Sequence, residues 1–370
     1  MPHEESGKSG AASNAAPNAS RPPALTPSPA RRLEGQDGIY EITGTEPLIL
    51  GRLAVFYPAR AVRSGDTVLV KSFRDTPDEQ FAIGAFYEEL KAIRQLRHPN
   101  ILPVLDYSPG SGPEAPPFLV LPWCKGGNLR GMHAHADFLP LASALQILQQ
   151  VANAIDYAHQ QGVIHGDLKP ENVLLNEDRH AVFLADFGMA KFFDVDDSVR
   201  RSMETVSPKG GTSAYLSPEQ LTQNTQTVKS DLYSFALIAY ELLTGRLPFD
   251  VSAPLYVQLR ARVEGELVDP ADANPSIAPH VRAALRFGLN ADPRQRPRQA
   301  GDLCRMLEGS MPVPKVRSER PSRSQRLQGW WTTLPPAQKV ALMLGIVTAL
   351  AGILTALIQI IPALLGKGGK

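Results

Sequence analysis

The chain has little cysteine, little net charge and, over its first 38 residues, almost no large apolar side chain. The two cysteines, Cys124 and Cys304, lie far apart and form no metal-binding cluster, which favours free thiols in a reducing compartment. A formal net charge of +1 gives no bulk reason to expect a nucleic-acid partner. Residues 1–38 cannot offset their ordering entropy by burial and contain no apolar core of a secretory signal, so we expect them to be disordered.

The rest of the chain is rich enough in apolar residues to bury a large core. At 370 residues and 43% hydrophobic content, it suits one two-lobed domain with appendages. Phe86, Leu90, Ile93 and Leu96 fall on one face of a helix, which follows a capping pattern at 76–79. Around this helix, short apolar or β-branched runs predict strands at 48–50, 53–57, 68–70, 101–105 and 118–121.

One short stretch combines an acid, an amine and an amide between two apolar runs. Apolar residues lead into His165 and follow Asn172, which predicts a rigid loop flanked by two short strands. The loop carries Asp167, Lys169 and Asn172, and Asp186 comes after the next apolar run. Carboxylate and amide oxygens at this spacing favour metal ions held against a polyphosphate, with the amine close to a transferring group.

This stretch resembles the catalytic loop of the eukaryotic-type protein kinases, whose pattern is H-R-D-L-x-x-x-N followed by D-F-G. Lys169, directly after Leu168, resembles the lysine that the serine/threonine branch of the family has at this position. That branch includes bacterial kinases. The resemblance covers roughly residues 40–307. It implies an α+β, bilobal protein-kinase fold, with a β-rich N-lobe at about 39–121 and a helical C-lobe at about 125–307. Gly166 departs from the pattern, because the family has arginine there.

The resemblance also implies roles for the polar residues, with ATP and Mg²⁺ as cofactors. Asp167 would accept the proton of a substrate hydroxyl, and Lys169 would stabilise charge on the moving phosphoryl group. Asn172 and Asp186 would hold the magnesium ions. Lys71 would orient the nucleotide phosphates, paired with a helix glutamate. The spacing to the His98-Pro99-Asn100 signature favours Glu89 for that role over its neighbour Glu88. The other expected nucleotide contacts are Gly51, the hinge residues Leu121, Pro122 and Cys124, and Leu174.

Three further positions resemble structural parts of the family. Ser217-Pro218-Glu219 resembles the end of an activation segment, and Arg296 is the implied ion-pair partner of Glu219. Asp231 resembles the buried aspartate that ties the catalytic loop to a helix. Because Gly166 lacks a guanidinium that could receive a phosphate, we expect activity not to depend strongly on phosphorylation of the activation segment. The hydroxyl residues of that segment are Ser198, Ser202, Thr205, Ser207 and Thr212.

The phosphate-covering loop departs most from the family. Of the glycine-rich pattern only Gly51 is present, and the loop is shorter by about two residues. Leu69 replaces the small residue that roofs adenine, and Phe56 is expected nearby. Two hypotheses follow: an active membrane-anchored kinase, or a membrane-tethered pseudokinase that binds partners without efficient transfer. A small-molecule kinase fits less well, because the segment ending at Glu219 resembles a peptide-substrate platform.

The C-terminal part predicts a membrane anchor. A basic, Pro- and Ser-rich linker at 308–338 precedes 340–365, a run of 26 residues without a charge. A bilayer core needs about 20 apolar residues in a helix, so this run predicts a transmembrane helix. Basic residues before the run place the kinase on the cytoplasmic side. We expect a single-pass protein, in a bacterial cell membrane or as a tail-anchored eukaryotic protein. Its partners would be protein substrates, a second copy through autophosphorylation in trans, and no nucleic acid.

Overall fold

The computed structural model describes residues 31–44, 46–50, 54–73, 79–111, 115–133, 138–187 and 212–314. Over these ranges the chain forms a sheet-rich N-lobe and a helical C-lobe, as the sequence predicts. The N-lobe elements are β1 (Arg32–Glu34), β2 (Ile39–Ile42), β3 (Ile49–Leu50), β4 (Val55–Ala61), β5 (Thr67–Ser72), α1 (Glu79–Arg94), β6 (Asp106–Ser108) and β7 (Phe118–Pro122).

The C-lobe elements follow the hinge after β7. They are α2 (Leu129–His133), α3 (Leu141–Gln160), β8 (Val173–Leu175), β9 (Val182–Leu184), α4 (Pro218–Gln223), α5 (Val228–Thr244), α6 (Leu255–Glu264), α7 (Pro270–Ala273), α8 (Pro279–Gly288) and α9 (Ala300–Glu308). Short 3₁₀ turns lie at Pro170–Asn172, Thr212–Tyr215 and Pro293–Gln295.

The N-lobe sheet is antiparallel and its two faces differ. Among the described residues its strand order is β1-β2-β4-β5-β7-β6, with β3 also paired to β4. Side chains alternate between faces along each strand. Val55, Tyr57 and Val70 belong to a small apolar cluster on one face. Phe56 pairs with Lys71 across β4 and β5, and both belong to the opposite face, which is turned toward α1 and the C-lobe.

Helix α1 packs on the sheet through the face that the sequence predicts. Phe86, Leu90 and Ile93 are buried, and Phe86 makes an edge-to-face contact with Phe73 at 5.6 Å between ring centroids. The helix begins at Glu79, and the capping residues predicted before it lie outside the described residues. This packing fixes the distance between α1 and β5, which carries Lys71.

Two boundaries in the N-lobe were predicted wrongly. The sheet begins with β1 at Arg32–Glu34, inside the segment 1–38 for which disorder was predicted. The loop after β1 is held by buried Asp106, whose carboxylate accepts the backbone N–H groups of Gln36 (3.0 Å) and Asp37 (3.1 Å). These hydrogen bonds to Asp106 help to offset the conformational entropy that is lost when residues 31–38 become ordered. The composition of the segment does not show them.

The second error concerns the strand predicted at 101–105. The strand lies instead at Asp106–Ser108, where it pairs with β7. Pro103 has no N–H to donate to a ladder, and Leu102 donates its own N–H to the carbonyl of Leu184 in the C-lobe (2.9 Å). The start of the apolar run therefore joins the lobes, whereas Leu105 at its end donates its N–H to the carbonyl of Val120 in β7 (2.8 Å).

The C-lobe core forms around α3 and α5. Helix α5 is buried along almost its whole length, from Ser230 to Thr244. Its N-terminus has a capping box between Thr227 and Ser230, and it ends at Gly245 in the left-handed region (φ 77°). A helix that is buried on all sides can present polar side chains only to other buried groups, and α5 does so at Asp231.

Within the described ranges, no helix has the length and apolar character needed to cross a bilayer. The predicted transmembrane run 340–365 lies outside the residues that the structure describes.

Candidate active site

The first part of the site is a buried ion pair between β5 and α1. Lys71 Nζ lies 2.6 Å from Glu89 Oε2, and their side chains are 3% and 1% exposed. The structure thus pairs Lys71 with Glu89, the residue that the sequence spacing favoured over half-buried Glu88. Such a pair is maintained only with good geometry, because removing either charge leaves the other buried and uncompensated.

Asp186 is the third member of this cluster and brings in the C-lobe. Its Oδ1 lies 2.9 Å from Lys71 Nζ, so the lysine bridges carboxylates from both lobes. The backbone of Asp186 adopts a left-handed conformation (φ 64°), which is uncommon outside glycine and concentrates at functional sites. The cluster therefore fixes both the side chain and the backbone at this position.

The charges in the cluster are set by competition between burial and partners. Burial lowers the pKa of Lys71, but Asp186 and Glu89 outweigh it, so the pKa lies above its usual value. Burial raises the pKa of Asp186, but Lys71 outweighs it and the pKa lies below its usual value. At Glu89 burial dominates and raises the pKa, because Lys71 is shared with a second carboxylate. The bridging lysine is cationic and Asp186 is anionic.

Hydrogen bonds anchor the catalytic loop to Asp231 of α5. The Oδ2 atom of Asp231 accepts the backbone N–H of His165 (2.8 Å), and its Oδ1 accepts that of Gly166 (2.8 Å). His159 of α3 also contacts Oδ2 through Nε2 at 2.8 Å. Because Asp231 is 1% exposed, these donors replace the water that its carboxylate has lost.

His165 links the loop to the residue before Asp186. Its Nε2 donates to the carbonyl of Ala185 (2.9 Å), and its Nδ1 accepts the N–H of Asp167 (3.3 Å). This arrangement requires a neutral ring, and burial lowers the pKa of His165 accordingly. The ring also packs against Phe187, with 4.7 Å between centroids. The His165 side chain therefore links the catalytic loop to the segment that carries Asp186.

Asp167, Lys169 and Asn172 lie together in the loop. Lys169 Nζ is 2.6 Å from Asp167 Oδ2, and Asn172 Nδ2 donates to the same oxygen (3.3 Å) and to the Asp167 carbonyl (2.8 Å). Over the described residues, Oδ1 of Asp167 is the oxygen left to accept a proton. Burial raises the pKa of Asp167 above its usual value in spite of Lys169.

The residues at the metal-binding positions fit Mg²⁺. Asn172 uses its amide nitrogen toward Asp167, which leaves the amide oxygen as its possible metal ligand. Asp186 is anionic and its side chain is 27% exposed. Hard oxygen ligands from one carboxylate and one amide suit a magnesium ion that takes its other ligands from phosphates and water.

The nucleotide side of the site lies between the sheet and β8. Leu69 and Phe56 belong to the same sheet face as Lys71, and the Phe56 ring centroid is 5.7 Å from Lys71 Nζ. Leu174 of β8 and Cys124 of the hinge pack against the same apolar cluster. Four of the residues near the predicted adenine position, Phe56, Leu69, Cys124 and Leu174, thus pack against one apolar cluster, and Phe56 and Leu69 lie on its sheet side. Gly51 lies outside the described residues.

The hinge keeps backbone groups available at the predicted positions. Leu121 is buried and pairs with Leu69, and Pro122 ends β7. The carbonyl of Cys124 accepts the N–H of Gly127 at 3.2 Å, and a carbonyl can accept a second bond. Gly126 lies so close to β8 that a Cβ there would be 2.0 Å from the carbonyl oxygen of Asn176.

Comparison with known proteins agrees with this geometry. Residues 48–306 match the protein kinase domain. The chain belongs to the protein kinase family. It is similar to the serine/threonine-protein kinase PknB of Mycolicibacterium smegmatis, with 32% identity over 285 residues, covering 74% of this chain and 44% of that protein. It is also similar to PknB of Mycobacterium tuberculosis, with 30% identity over 284 residues, covering 74% of this chain and 44% of that protein.

The domain is a protein kinase domain, and the chain spans less than half the length of these two relatives. Its fold is similar to the crystal structure of the PknI kinase domain of Mycobacterium tuberculosis, with a TM-score of 0.54 and 22% identity. That likeness covers 75% of this chain and 96% of the other, and it concerns the fold alone.

The kinase domain also contains the predicted structural ion pair. Arg296 Nη1 and Nη2 lie 2.7 and 2.8 Å from the two carboxylate oxygens of Glu219, a bidentate contact in a buried setting. Ser230 of α5 donates to the same carboxylate at 3.0 Å. The pair joins the end of the activation segment to the C-lobe core.

Sequence reasoning missed Arg130, which organises the surface beside the catalytic loop. From the short helix α2, Arg130 binds Glu171 (Nε to Oε1, 3.0 Å), Glu241 (Nη1 to Oε1, 2.6 Å) and the hydroxyl of Tyr215. Tyr215 also donates to Glu241. These residues come from four separate parts of the chain, so no local pattern could have grouped them. The cluster ties the catalytic loop to the activation segment and α5.

Proposed function

We propose that this chain is an active serine/threonine protein kinase that transfers the γ-phosphoryl group of ATP to protein hydroxyls. The observation that supports this most is the Lys71–Glu89–Asp186 cluster, which joins both lobes next to Asp167. A disrupted nucleotide site would have little reason to maintain a buried lysine between buried Glu89 and partly exposed Asp186, since such groups are costly unless they are used or paired.

In the proposed mechanism the chain contributes mainly position and charge. Oδ1 of Asp167 accepts the proton of the substrate hydroxyl, while Lys169 and Asn172 hold Oδ2. Lys71 orients the α- and β-phosphates and is itself held by Glu89. Asn172 and Asp186 would hold Mg²⁺, which neutralises charge on the phosphates when bound. Because these groups are fixed before substrate arrives, little reorganisation is needed during transfer.

Magnesium-dependent transfer by the full chain tests this proposal. We expect ATP binding, autophosphorylation and phosphorylation of myelin basic protein, with transfer reduced about 10²–10⁴-fold in Asp167→Asn, because that variant lacks the general base. The variant should keep its ATP affinity and its thermal unfolding transition. Transfer that persists unchanged in Asp167→Asn would contradict the assigned role.

The alternative is a pseudokinase with impaired ATP binding, and Phe56 and Leu69 favour it. Both residues are half-buried on the sheet face that adenine would contact. A wild-type chain that binds no ATP, with binding restored in Leu69→Ala, would support this alternative. ATP binding without transfer to any acceptor would point to a nucleotide-gated scaffold.

We further propose that the kinase acts at the cytoplasmic face of a membrane. The support is the uncharged run 340–365 after a basic linker. Fractionation of cells that express the full chain should place it with membranes, and a chain ending at residue 338 should be released. Equal distribution of the two chains would contradict the anchor.

Phosphorylation of the activation segment is proposed to have little effect on activity. The support is Gly166, which offers no side chain to receive a phosphate. A variant with Ser198, Ser202, Thr205 and Ser207 replaced by Ala should transfer phosphate at a rate within about 3-fold of wild type. Loss of activity in this variant, with an unchanged unfolding transition, would contradict the proposal.

A further inference from the structure

The end of the activation segment is buried without a break. Every residue from 214 to 221 is buried, although this part of a kinase faces the substrate side. Side chains of the C-lobe hold its backbone: Ser234 donates to the carbonyl of Tyr215 (2.8 Å), and Arg262 Nη1 donates to that of Leu216 (3.1 Å). The position of this stretch is therefore set by the folded core.

Gln220 lies in this stretch and uses both ends of its amide. It is 1% exposed and occupies the third position of α4. Its Oε1 accepts the N–H of Ser217 (2.9 Å) and the Ser217 hydroxyl (3.0 Å), which completes a capping box at the start of the helix. A cap needs only this oxygen, so the amide nitrogen has a separate purpose.

The amide nitrogen of Gln220 reaches the catalytic loop. Its Nε2 donates to the carbonyl of Gly166 at 3.1 Å. That carbonyl belongs to the peptide group between Gly166 and Asp167, and the N–H of the same peptide donates to His165 Nδ1 (3.3 Å). Both polar atoms of the peptide that precedes the catalytic base are therefore held by side chains.

The restraint on the Gly166–Asp167 peptide is important because residue 166 is a glycine. Its backbone is in the left-handed region (φ 77°), and it has no side chain that could contact the surroundings. Glycine also has more alternative conformations than any other residue, so an unrestrained peptide here could rotate. Asp231 holds the N–H of Gly166, and Gln220 holds its carbonyl.

We propose that Gln220 is a positioning residue for phosphoryl transfer, which fixes the Gly166–Asp167 peptide and couples the end of the activation segment to the catalytic base. The inference rests on the proposed function, in which Asp167 accepts the substrate proton. It adds a contact that orders the catalytic loop through a neutral amide, at a position where Gly166 supplies no guanidinium.

Two substitutions separate the bond to Gly166 from the helix cap. Gln220→Glu keeps the Oε1 acceptor for Ser217 but replaces the donor with an oxygen when ionised. Gln220→Met has a similar length and neither donor nor strong acceptor. Thr222→Val is the matched control, because the hydrogen bond that the Thr222 side chain makes among the described residues stays within α4, to the carbonyl of Pro218 (2.8 Å).

The experiment measures kcat and the KM for ATP of the full chain with myelin basic protein between pH 6 and pH 8. At pH 8 we expect kcat to fall roughly 3–10-fold in both Gln220 variants, which corresponds to one buried hydrogen bond, with KM for ATP unchanged. Burial raises the pKa of a carboxyl group, so Gln220→Glu should become protonated as the pH falls and donate to Gly166 again. Its kcat relative to wild type should therefore recover toward pH 6, while Gln220→Met should stay low. Thr222→Val should match wild type throughout.

Three outcomes would overturn the inference: unchanged kcat in both Gln220 variants, an equal loss in Thr222→Val, or a loss in Gln220→Glu that does not depend on pH. If Gln220→Glu fails to fold, the comparison of Gln220→Met with Thr222→Val decides. A wild-type chain without transfer overturns the proposed function and the inference together, whereas an active wild type with unchanged variants overturns the inference only.

Discussion

The two walls of the active site are built on different principles. On the C-lobe side, the catalytic loop is held by buried polar contacts from Asp231, His165 and Asn172. On the N-lobe side, the face proposed to receive adenine consists of the packed apolar side chains of Phe56 and Leu69. Polar contacts fix geometry because each unmet partner is costly, whereas apolar contacts tolerate changes in shape. The chain matches the family pattern on the first wall, except at Gly166, and departs from it more on the second.

Removing the buried polar contacts of the catalytic loop should have the largest effect on stability. In Asp231→Ala the backbone N–H groups of His165 and Gly166 lose their acceptor, and we expect a loss of about 3–5 kcal/mol in the free energy of unfolding. Asp231→Asn keeps one acceptor oxygen and should lose clearly less. Chemical denaturation of both variants measures the difference, and equal stabilities would show that the carboxylate does not hold the loop.

Removing Lys71, which bridges the two lobes, should have the second-largest effect on stability. Lys71→Met leaves buried Glu89 and partly exposed Asp186 near each other without their shared cation, so we expect about 2–4 kcal/mol of lost stability together with loss of transfer. The double variant Lys71→Met/Glu89→Gln removes one of the two carboxylates and should recover part of that stability. Thermal unfolding of the two variants provides the measurement, and a double variant less stable than the single one would argue against this charge balance.

Shortening the apolar side chains on the N-lobe side should have a smaller effect. This change should strengthen ATP binding, whereas the two preceding changes are damaging. Leu69→Ala or Phe56→Val removes side-chain volume on this face, and we expect ATP to bind roughly 5–30-fold more tightly if overpacking of about 1–2 kcal/mol is relieved. Leu69→Met is the control that preserves volume. Calorimetric titration with Mg-ATP tests this, and weaker binding in both enlarged variants would mean that these side chains support adenine.

The smallest effect concerns the pH dependence of transfer. Asp167 must be ionised to accept a proton, and burial raises its pKa above the ordinary value of 3.8. Transfer should therefore be lost as the pH falls through this raised pKa. Lys169 opposes the shift, so Lys169→Met should move the acidic limb of kcat to still higher pH, besides lowering the maximum. An acidic limb that moves to lower pH in this variant would contradict the assignment.

The sequence predicted the residues that meet in the site better than it predicted the edges of the N-lobe. Lys71, Glu89 and Asp186 come from three distant segments, and the order of motifs was enough to group them. The strand at 106–108 and the early start at Arg32 were missed, because Leu102 and Asp106 act through long-range contacts that local patterns do not record. Arg130 and Gln220 were missed for the same reason, since each joins segments by a single side chain. The predicted transmembrane run and Gly51 stay predictions.

The close approach of Gly126 to β8 determines where the two lobes can bend. Gly126 donates its N–H to the carbonyl of Leu175 (3.2 Å), and Leu175 donates back to Gly127 (2.9 Å), so these glycines move with the C-lobe. Pro122 is part of β7 and moves with the N-lobe. Trp123–Lys125 is therefore the backbone that links these two anchored parts, and we expect any change in the angle between the lobes to occur there.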